Sequence, residues 1–512
     1  MPEISLREGR IRTRSEAASA WLAASVAGLL PVLFIPVTVD GFILPRAFLA
    51  LTGGAAVFGA GLLWGRRSLG RLAAPALAVA VAAVLAGAFS VASNLSMVGA
   101  YGRYESLPMR LAYLGLLCGA VWLGQRQRVV DAFLAGCGLA SLEAIAQALI
   151  GALPRPDGNL GQPNLLGGLL AIALPLALGR VLGQKDEESP SASIATDWRW
   201  LALAALLAAG LAASTSRSGW LAALAGVSVM CVRLAPSRIR LPALAGAVLV
   251  VAAVGLVLVF SPLRQLNQDT GSARLGVWQD AVRVVAARPL FGWGEDTMGV
   301  VYGRYQSRDW EPGDSFDRAH SLPLDLAAAQ GLVGLGACAW LFTTWWIGVL
   351  RRRHLAAFAG AAAAYLAWAL FNFDWAPVTA PFWLLAGAAW PGGGEREARR
   401  SAWRPAVAVA ALLATLVLGT AALAADLAYY RGRPALAAAL DPLQPKYRAA
   451  AAGLANLRAA AALHDPQPET QVALGDAEAA TGHPDQARAA YEHALELYPY
   501  DKDARQRLGL SG

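Results

Sequence analysis

The chain has 512 residues, of which 56% are hydrophobic and 15% charged, and this composition excludes an ordinary soluble globular protein. The net charge of +8 does not indicate a nucleic-acid partner, because the arginines form short clusters between apolar stretches, as the positive-inside rule of membrane proteins predicts. The four cysteines lie in separate apolar stretches and show no metal-ligand spacing. We therefore expect neither a metal site nor a cofactor.

The distribution of apolar stretches predicts an all-α, polytopic membrane protein with about 12–14 spans. Residues 1–19 are rich in arginine and have no clear cleavage site, which indicates a retained cytoplasmic tail. Residues 20–425 form the predicted transmembrane domain. Its expected spans are 20–36, 43–63, 72–93, 109–124, 129–151, 164–183, 199–213, 217–233, 241–260, 321–350, 355–373, 378–391 and 405–425.

Basic residues mark every second connection between these spans, which predicts the orientation of the chain in the membrane. The basic connections are expected in the cytoplasm. The alternate connections are then extracytoplasmic, and the long 261–320 loop is placed there because long loops translocate regardless of charge. The predicted extracytoplasmic segments are 94–108, 152–163, 214–216, 261–320 and the tail from residue 426.

The tail, residues 426–512, is predicted to be a small extracytoplasmic helical domain. Residues 468–501 have the spacing of a tetratricopeptide repeat, with small residues and Tyr491 where two helices meet and Pro499 at the end of the second. A lone repeat cannot bury its apolar face, so we expect residues 434–465 to pack on it as a second hairpin. The tail is either a docking surface for an acceptor or protein partner, or a structural cap.

Three short outer segments contain side chains suited to a carbohydrate. Arg103 and Tyr104 combine charge with an aromatic face, and Gln162 and Asn164 offer amide groups in a glycine- and proline-fixed loop. Asp374 stands at another outer helix end. Each segment taken alone also fits an ordinary turn or helix end, but together they are candidate substrate-binding residues.

Hydroxyl side chains and Arg217 interrupt two apolar spans at residues 214–218. An arginine near membrane depth costs roughly 2.5–3.5 kcal/mol on insertion scales. Snorkelling of the side chain to the interface is one explanation. We favour a ligand-facing Arg217, because the hydroxyls break the helix and can line a polar cavity.

The 261–320 loop contains an amphipathic helical pattern with Arg274 and Trp278 on one face, which predicts a helix on the membrane surface. Taken alone, Arg274 fits a contact with solvent or lipid headgroups better than a ligand contact. His320 stands where this loop enters the next span. The positive end of a helix favours neutral imidazole, so His320 is a candidate general base, although an interfacial role alone also fits.

These segments resemble the family of O-antigen ligases, lipid-linked polysaccharide polymerases and protein O-oligosaccharyltransferases. Four motifs give the resemblance, and they extend over about residues 95–380. They are Gly161-Gln162-Pro163-Asn164; Thr215-Ser216-Arg217-Ser218-Gly219-Trp220; Arg274 and Trp278 followed by Pro289 and Gly292-Trp293-Gly294; and Ala319-His320-Ser321 followed by Gln330-Gly331-Leu332-Val333-Gly334.

The resemblance implies a third-class glycosyltransferase fold in the bacterial inner membrane, with its active site facing the periplasm or cell exterior. It implies metal-independent, inverting transfer of a glycan from undecaprenyl diphosphate to a lipid, glycan or protein acceptor in cell-envelope polysaccharide or lipopolysaccharide biosynthesis. Arg217 and Arg274 would hold the diphosphate, and His320 would activate the acceptor hydroxyl. Guanidinium groups suit this role, because they bind phosphate oxygens in a bidentate manner.

Two other classes of function remain open. A polysaccharide exporter or flippase would also be a basic protein with many spans, but the sequence has no internal repeat of the kind that transporters usually show. A scaffold with an inert membrane domain would leave Arg217, Arg274 and His320 without a role. The sequence leaves the acceptor, the glycan and the oligomeric state open.

Overall fold

The computed structural model describes residues 18–183, 198–260, 272–313, 315–394 and 403–510. Within these ranges the chain forms α-helices and short 3-10 turns, with no strand. The predicted all-α membrane fold is therefore confirmed. The predicted cytoplasmic tail, residues 1–19, lies almost entirely outside the described residues, and so does the 261–271 part of the long loop.

Each predicted span overlaps one helix. In chain order these helices are α1 (Ala18–Leu29), α2 (Ile43–Trp64), α3 (Ala73–Ala88), α5 (Leu107–Leu123), α6 (Arg126–Leu149), α7 (Pro163–Val181), α8 (Trp198–Ala213), α9 (Arg217–Leu234), α10 (Arg240–Phe260), α13 (Leu322–Leu350), α14 (Ala356–Ala369), α15 (Ala376–Ala389) and α16 (Trp403–Tyr430). By length and composition, seven helical segments of the described chain are apolar enough to cross a membrane.

Small residues allow the membrane helices to approach closely. A Cβ atom at Gly61 of α2 would lie 2.9 Å from the Cα atom of Gly119 in α5. A Cβ atom at Gly226 of α9 would lie 2.7 Å from the carbonyl oxygen of Gly360 in α14. Membrane helices associate through such close backbone packing, because lipid supplies little hydrophobic drive between them. The result is one contiguous apolar core, to which most of the spans contribute.

The connections between helices separate into two ends. At one end, which we call the basic end, Trp390 donates from its indole nitrogen to the carbonyl oxygen of Leu69 at 3.1 Å, and Arg180 pairs with Asp131 at 2.6 Å. At the other end, which we call the site end, Arg155 donates to the hydroxyl of Thr215 at 3.1 Å. The connections predicted to be cytoplasmic thus meet one another at the basic end. Those predicted to be extracytoplasmic meet one another at the site end.

The long loop and the short helix before it belong to the site end. The loop contains α11 (Ser272–Ala287) and α12 (Met298–Val301), and α4 (Ser93–Val98) precedes α5. Val277, Ala281 and Val284 of α11 are buried, whereas Leu275 and Val282 are more than half exposed. A helix is therefore present where the sequence predicted one, and its placement on the membrane surface stays a prediction.

The tail consists of α17 (Pro434–Leu440), α18 (Pro445–Ala450), α19 (Leu454–Ala462), α20 (Pro468–Ala480), α21 (Pro484–Leu497) and α22 (Lys502–Arg507). Gly475 allows α20 to pack on the ring of Tyr491 in α21. The tail also rests on the site end, since Asn94 donates to the carbonyl oxygens of Leu443 and Leu463 at 3.3 and 2.7 Å. Tail and long loop therefore lie on the same side of the bundle.

Candidate active site

Residues 371–375, between α14 and α15, are the centre of the candidate site. Arg274 of α11 donates from Nη1 to the carbonyl oxygen of Phe371 at 3.0 Å. Trp278, one turn further along α11, donates from its indole nitrogen to the carbonyl oxygen of Ala319 at 2.9 Å. These bonds attach α11 both to the 371–375 segment and to the residue before His320.

His320 occupies a restrained turn immediately before α13. Its φ of 53° lies in the left-handed region, which a residue other than glycine rarely adopts. The carboxylate of Asp325 in the first turn of α13 holds this turn by accepting bonds from the backbone nitrogens of Ala319 and Ser321, at 2.7 and 3.2 Å. The imidazole packs edge-on against the ring of Phe373, with 5.3 Å between ring centroids.

Arg103 reaches the same segment from the loop before α5. Its guanidinium carbon lies 4.9 Å from the ring centroid of Phe373 and 4.6 Å from that of Trp375. Two of its nitrogens donate to the carboxylate of Asp317, at 2.6 and 3.1 Å. Burial alone would raise the pKa of Asp317, but the Arg103 guanidinium outweighs it and holds that pKa below its usual range.

Arg217 is joined to this centre through hydrogen bonds of its neighbours. Ser216 caps α9 and donates to the amide oxygen of Asn164 at 3.0 Å. The backbone oxygen of Asn164 accepts a bond from the indole of Trp368 at 2.9 Å, and the backbone oxygen of Trp368 accepts one from Asn372 at the same distance. The Arg217 segment, the Asn164 loop and the 371–375 segment are thus parts of one hydrogen-bonded arrangement.

Backbone strain is concentrated in the segments that the sequence analysis singled out. Among the described residues, seven amino acids other than glycine have a positive φ. Five of these lie in the connections of the site end: Tyr104, Asn159, Thr215, Asp296 and His320. Such conformations cluster at functional sites, where surrounding contacts maintain them.

A buried ionic network that the sequence pattern did not predict lies behind the 371–375 segment. Arg110 of α5 pairs with Asp374 and, at 3.3 Å, with Glu295. Gln330 of α13 donates to the same Glu295. The signal that would have drawn attention to this network is Arg110 itself, a charged residue within the predicted span 109–124. Its partners are 185 and 264 residues away in sequence.

Glu105 and Asp296 extend this network to the loop before α5. The Glu105 carboxylate accepts a hydrogen bond from Tyr113 at 2.7 Å, and burial raises the pKa of Glu105 to about 7 against the opposing effect of Arg110. Asp296 pairs with Arg318 and accepts bonds from the backbone nitrogens of Ala100 and Glu105. The loop that presents Arg103 is therefore fixed to the long loop.

The remaining predicted substrate residues have other surroundings. Asp374 is buried with Arg110, and its carboxylate also accepts a bond from Tyr365 at 2.8 Å. Tyr104 is buried and borders an apolar cavity between α2 and α16 rather than the Arg103 ion pair. Gln162 caps the start of α7 without a side-chain capping bond. All three remain predictions as substrate contacts.

The site has arginine, histidine and aromatic side chains as its distinctive groups. Among the residues described here, no group of three or more His, Cys, Asp or Glu side chains is arranged to hold a metal ion. Guanidinium groups present several donors at fixed angles, which suits an anion with several oxygens, and a histidine beside them can accept a proton. The arrangement therefore fits proton transfer next to a bound phosphate.

Comparison with known families gives two matches along the chain. Residues 202–339 match the family model described as O-antigen ligase, and residues 468–511 match a tetratricopeptide repeat. No curated protein is similar enough to the chain to count as a match. The first segment includes Arg217, Arg274 and His320, and the second includes α20, α21 and α22.

These matches confirm the resemblance that the sequence motifs indicated. The chain is a multi-pass membrane protein. It contains an O-antigen ligase segment, which supports glycan transfer of the ligase and polymerase kind, and it ends in a tetratricopeptide repeat.

Proposed function

We propose that the protein transfers a glycan from undecaprenyl diphosphate to an acceptor hydroxyl on the periplasmic side of the bacterial inner membrane. The main support is the convergence of Arg274, Trp278, His320 and Arg103 on the segment 371–375, where the Trp278 ring lies 6.2 Å from that of Phe371. These side chains come from three separate parts of the chain. A purely structural role would not require a histidine in a strained turn against a ring that also contacts the Arg103 guanidinium.

In the proposed reaction His320 accepts the proton of the acceptor hydroxyl at a ring nitrogen. The hydroxyl oxygen forms a bond to the anomeric carbon as the bond from that carbon to the diphosphate oxygen breaks. The electron pair of the broken bond leaves on undecaprenyl diphosphate, whose charge Arg217 and Arg274 stabilise. A single displacement of this kind inverts the configuration at the anomeric carbon.

The two arginines give the reaction its independence from divalent cations in this proposal. A guanidinium remains charged at physiological pH and binds phosphate oxygens through two parallel bonds. Arg274 belongs to a helix that is attached at two points, so its position is fixed before the donor binds.

The arginine clusters support the periplasmic placement. The basic end includes Arg126, Arg180, Arg233 and Arg353, and such clusters favour the cytoplasmic side. The site end would then face the periplasm, where the lipid-linked donor presents its glycan.

Reconstitution tests the proposal. Purified protein in liposomes is given lipid-linked glycan, a panel of hydroxyl acceptors and a chelator. We expect glycosylated acceptor and released undecaprenyl diphosphate. Movement of the lipid-linked glycan across the bilayer without any product would instead indicate an exporter or flippase.

A further inference from the structure

A cavity lies beside the candidate active site, between the long loop and the tail. Its volume is about 560 Å³, which is within the range of pockets that enclose small ligands. The long loop lines one side with residues that include Asp309 and Pro312, and the tail lines the other with residues that include Gln467 and Tyr500. Arg103 and Asp317, the ion pair of the candidate site, also line it.

Direct contacts between the long loop and the tail hold this cavity in shape. The hydroxyl of Tyr498 donates to Asp309 at 3.0 Å and accepts a bond from the backbone nitrogen of Gly313 at 2.9 Å. Tyr498 is only 5% exposed. At Gly303, a Cβ atom would lie 2.2 Å from the carbonyl oxygen of Leu497, so the two parts are in close backbone contact. The cavity is therefore formed jointly by the membrane domain and the tail.

The charged side chains that line the cavity are predominantly acidic. The carboxylates are those of Asp309, Asp317, Glu469, Asp501 and Asp503, and the cationic side chains are those of Arg103 and Lys502. Arg103 is already paired with Asp317. Because like charges across an interface are unfavourable, this lining disfavours a phosphorylated or otherwise anionic molecule. It favours a cationic one, whereas an uncharged glycan would gain nothing from the excess of negative charge.

A short series of contacts links the cavity to the proposed base. Asp317 binds Arg103, the Arg103 guanidinium lies over the ring of Phe373, and His320 packs against that same ring. A chain seated in the cavity would thus pass close to the group that is proposed to take the acceptor proton. The position and the charge of the cavity together suit an acceptor that arrives from the water side.

We propose that this cavity is the acceptor site and that it takes a basic, hydroxyl-bearing peptide segment of a protein. The inference rests on the proposed function, because it identifies the acceptor of that reaction. The tail is then one wall of the acceptor site, and the two tyrosines near its end, Tyr498 and Tyr500, give that wall its aromatic faces.

Peptide binding to the full-length protein in lipid nanodiscs tests the inference without any donor. Fluorescent serine-containing peptides of equal length are compared, one rich in lysine, one rich in glutamate and one uncharged, together with a neutral oligosaccharide. We expect the lysine-rich peptide to bind on the order of tenfold more tightly than the others at low ionic strength, and to lose this preference as salt is added.

Charge reversal on the tail provides the matched variants. Glu469 and Asp503 are exposed and line the cavity, so the double variant Glu469→Lys, Asp503→Lys should weaken binding of the lysine-rich peptide about tenfold and improve binding of the glutamate-rich one. Asp485→Lys is the control. Asp485 is also an exposed aspartate in the first turn of a tail helix, but it does not line the cavity.

Equal binding of all the peptides, tighter binding of the oligosaccharide, or the same effect from Asp485→Lys would overturn the inference. Adding lipid-linked glycan then tests the acceptor role. Transfer to the bound lysine-rich peptide supports it. Transfer only to a different acceptor contradicts the inference and leaves the transferase proposal standing, whereas no transfer to any acceptor contradicts the proposed function itself.

Discussion

Arg217 and Arg274 lie in the first turns of two different helices. Arg274 donates directly to the carbonyl oxygen of Phe371. Arg217 follows Ser216, which bonds to Asn164, and Asn164 is linked to Asn372 through Trp368. The proposed role of both arginines depends on the shape of the guanidinium as well as its charge. Lysine retains the charge but offers a single ammonium group, which cannot form two parallel bonds to one phosphate. Substitution by lysine therefore separates the two contributions.

We expect Arg217→Lys and Arg274→Lys each to reduce the transfer rate by at least about tenfold, which corresponds to roughly one charge-assisted hydrogen bond. The rate is measured with purified protein and lipid-linked donor in the presence of a chelator. Arg283→Lys is the control, because Arg283 also lies on α11 but has an exposed side chain paired with Asp280. Wild-type rates in both site variants would contradict bidentate diphosphate binding.

The buried carboxyl group of Glu105 makes the stability of the protein depend on pH. Its pKa is raised by burial from 4.5 to about 7, so the folded protein binds a proton there that the unfolded chain releases above pH 4.5. The unfolding free energy should therefore fall as the pH rises from about 4.5 to about 7, and then level off. Thermal unfolding between about pH 5 and pH 8 measures this change.

Glu105→Gln should reduce that pH dependence, because the amide does not titrate and its oxygen can still accept the hydrogen bond from Tyr113. An unchanged dependence in the variant would show that other groups are responsible for it.

Hydropathy and arginine clusters were sufficient to predict the membrane elements, because lipid requires long apolar helices whatever their tertiary partners. The ends of the elements were less predictable. The span expected at 72–93 stops at Ala88, and the backbone of Val91 bonds instead to the carbonyl oxygen of Trp293 at 3.0 Å. The span expected at 321–350 is interrupted at Gly331, whose φ is 67° and which lies against the carbonyl group of Leu290.

Motif spacing was sufficient to identify the parts of the site but not the pairing between them. Arg274, Trp278 and His320 could be singled out because charged and titratable residues are unusual beside apolar spans. The Arg103–Asp317 and Arg110–Asp374 pairs could not, because they join residues that are 214 and 264 positions apart. Such pairings depend on how the helices pack, which one sequence does not specify.

The Arg110–Asp374 pair gives a prediction for the stability of this arrangement. Asp374→Asn removes the negative charge of a buried pair and leaves the positive charge of Arg110 less well compensated. We therefore expect the free energy of unfolding to fall by about 3–5 kcal/mol. Asp131→Asn is the control, because it removes the partner of Arg180 at a position where the Asp131 side chain is 49% exposed. The control substitution should lower the free energy of unfolding by about 1 kcal/mol or less. Equal thermal stability of the two variants would contradict a structural role for the buried pair.

At the scale of the whole molecule, the separation of a basic end from a site end predicts which surfaces face the periplasm. Ser307→Cys in the long loop and Ala489→Cys in the tail place thiols at exposed positions of the site end. The background variant is Cys231→Ala, since Cys231 is the exposed cysteine of the described chain. Both thiols should react with an impermeant reagent once the outer membrane is permeabilised.

Ser237→Cys, at an exposed position between α9 and α10, is the matched control for the basic end. It should react only after the inner membrane is broken. The reverse pattern of labelling would place the candidate site in the cytoplasm and exclude the proposed donor orientation.

The proposed mechanism is tested most directly by the transfer rate and the donor affinity of His320→Ala, each compared with the wild-type protein. General-base catalysis contributes about 10²–10⁴-fold, so we expect the transfer rate to fall by that order while the lipid-linked donor binds with near-normal affinity. The wild-type rate should also decrease in acid, because an imidazolium cannot accept a proton. Replacement of the exposed tail residue His493 by alanine should change neither quantity. A His320→Ala protein that retains most of its transfer rate would contradict the proposed mechanism.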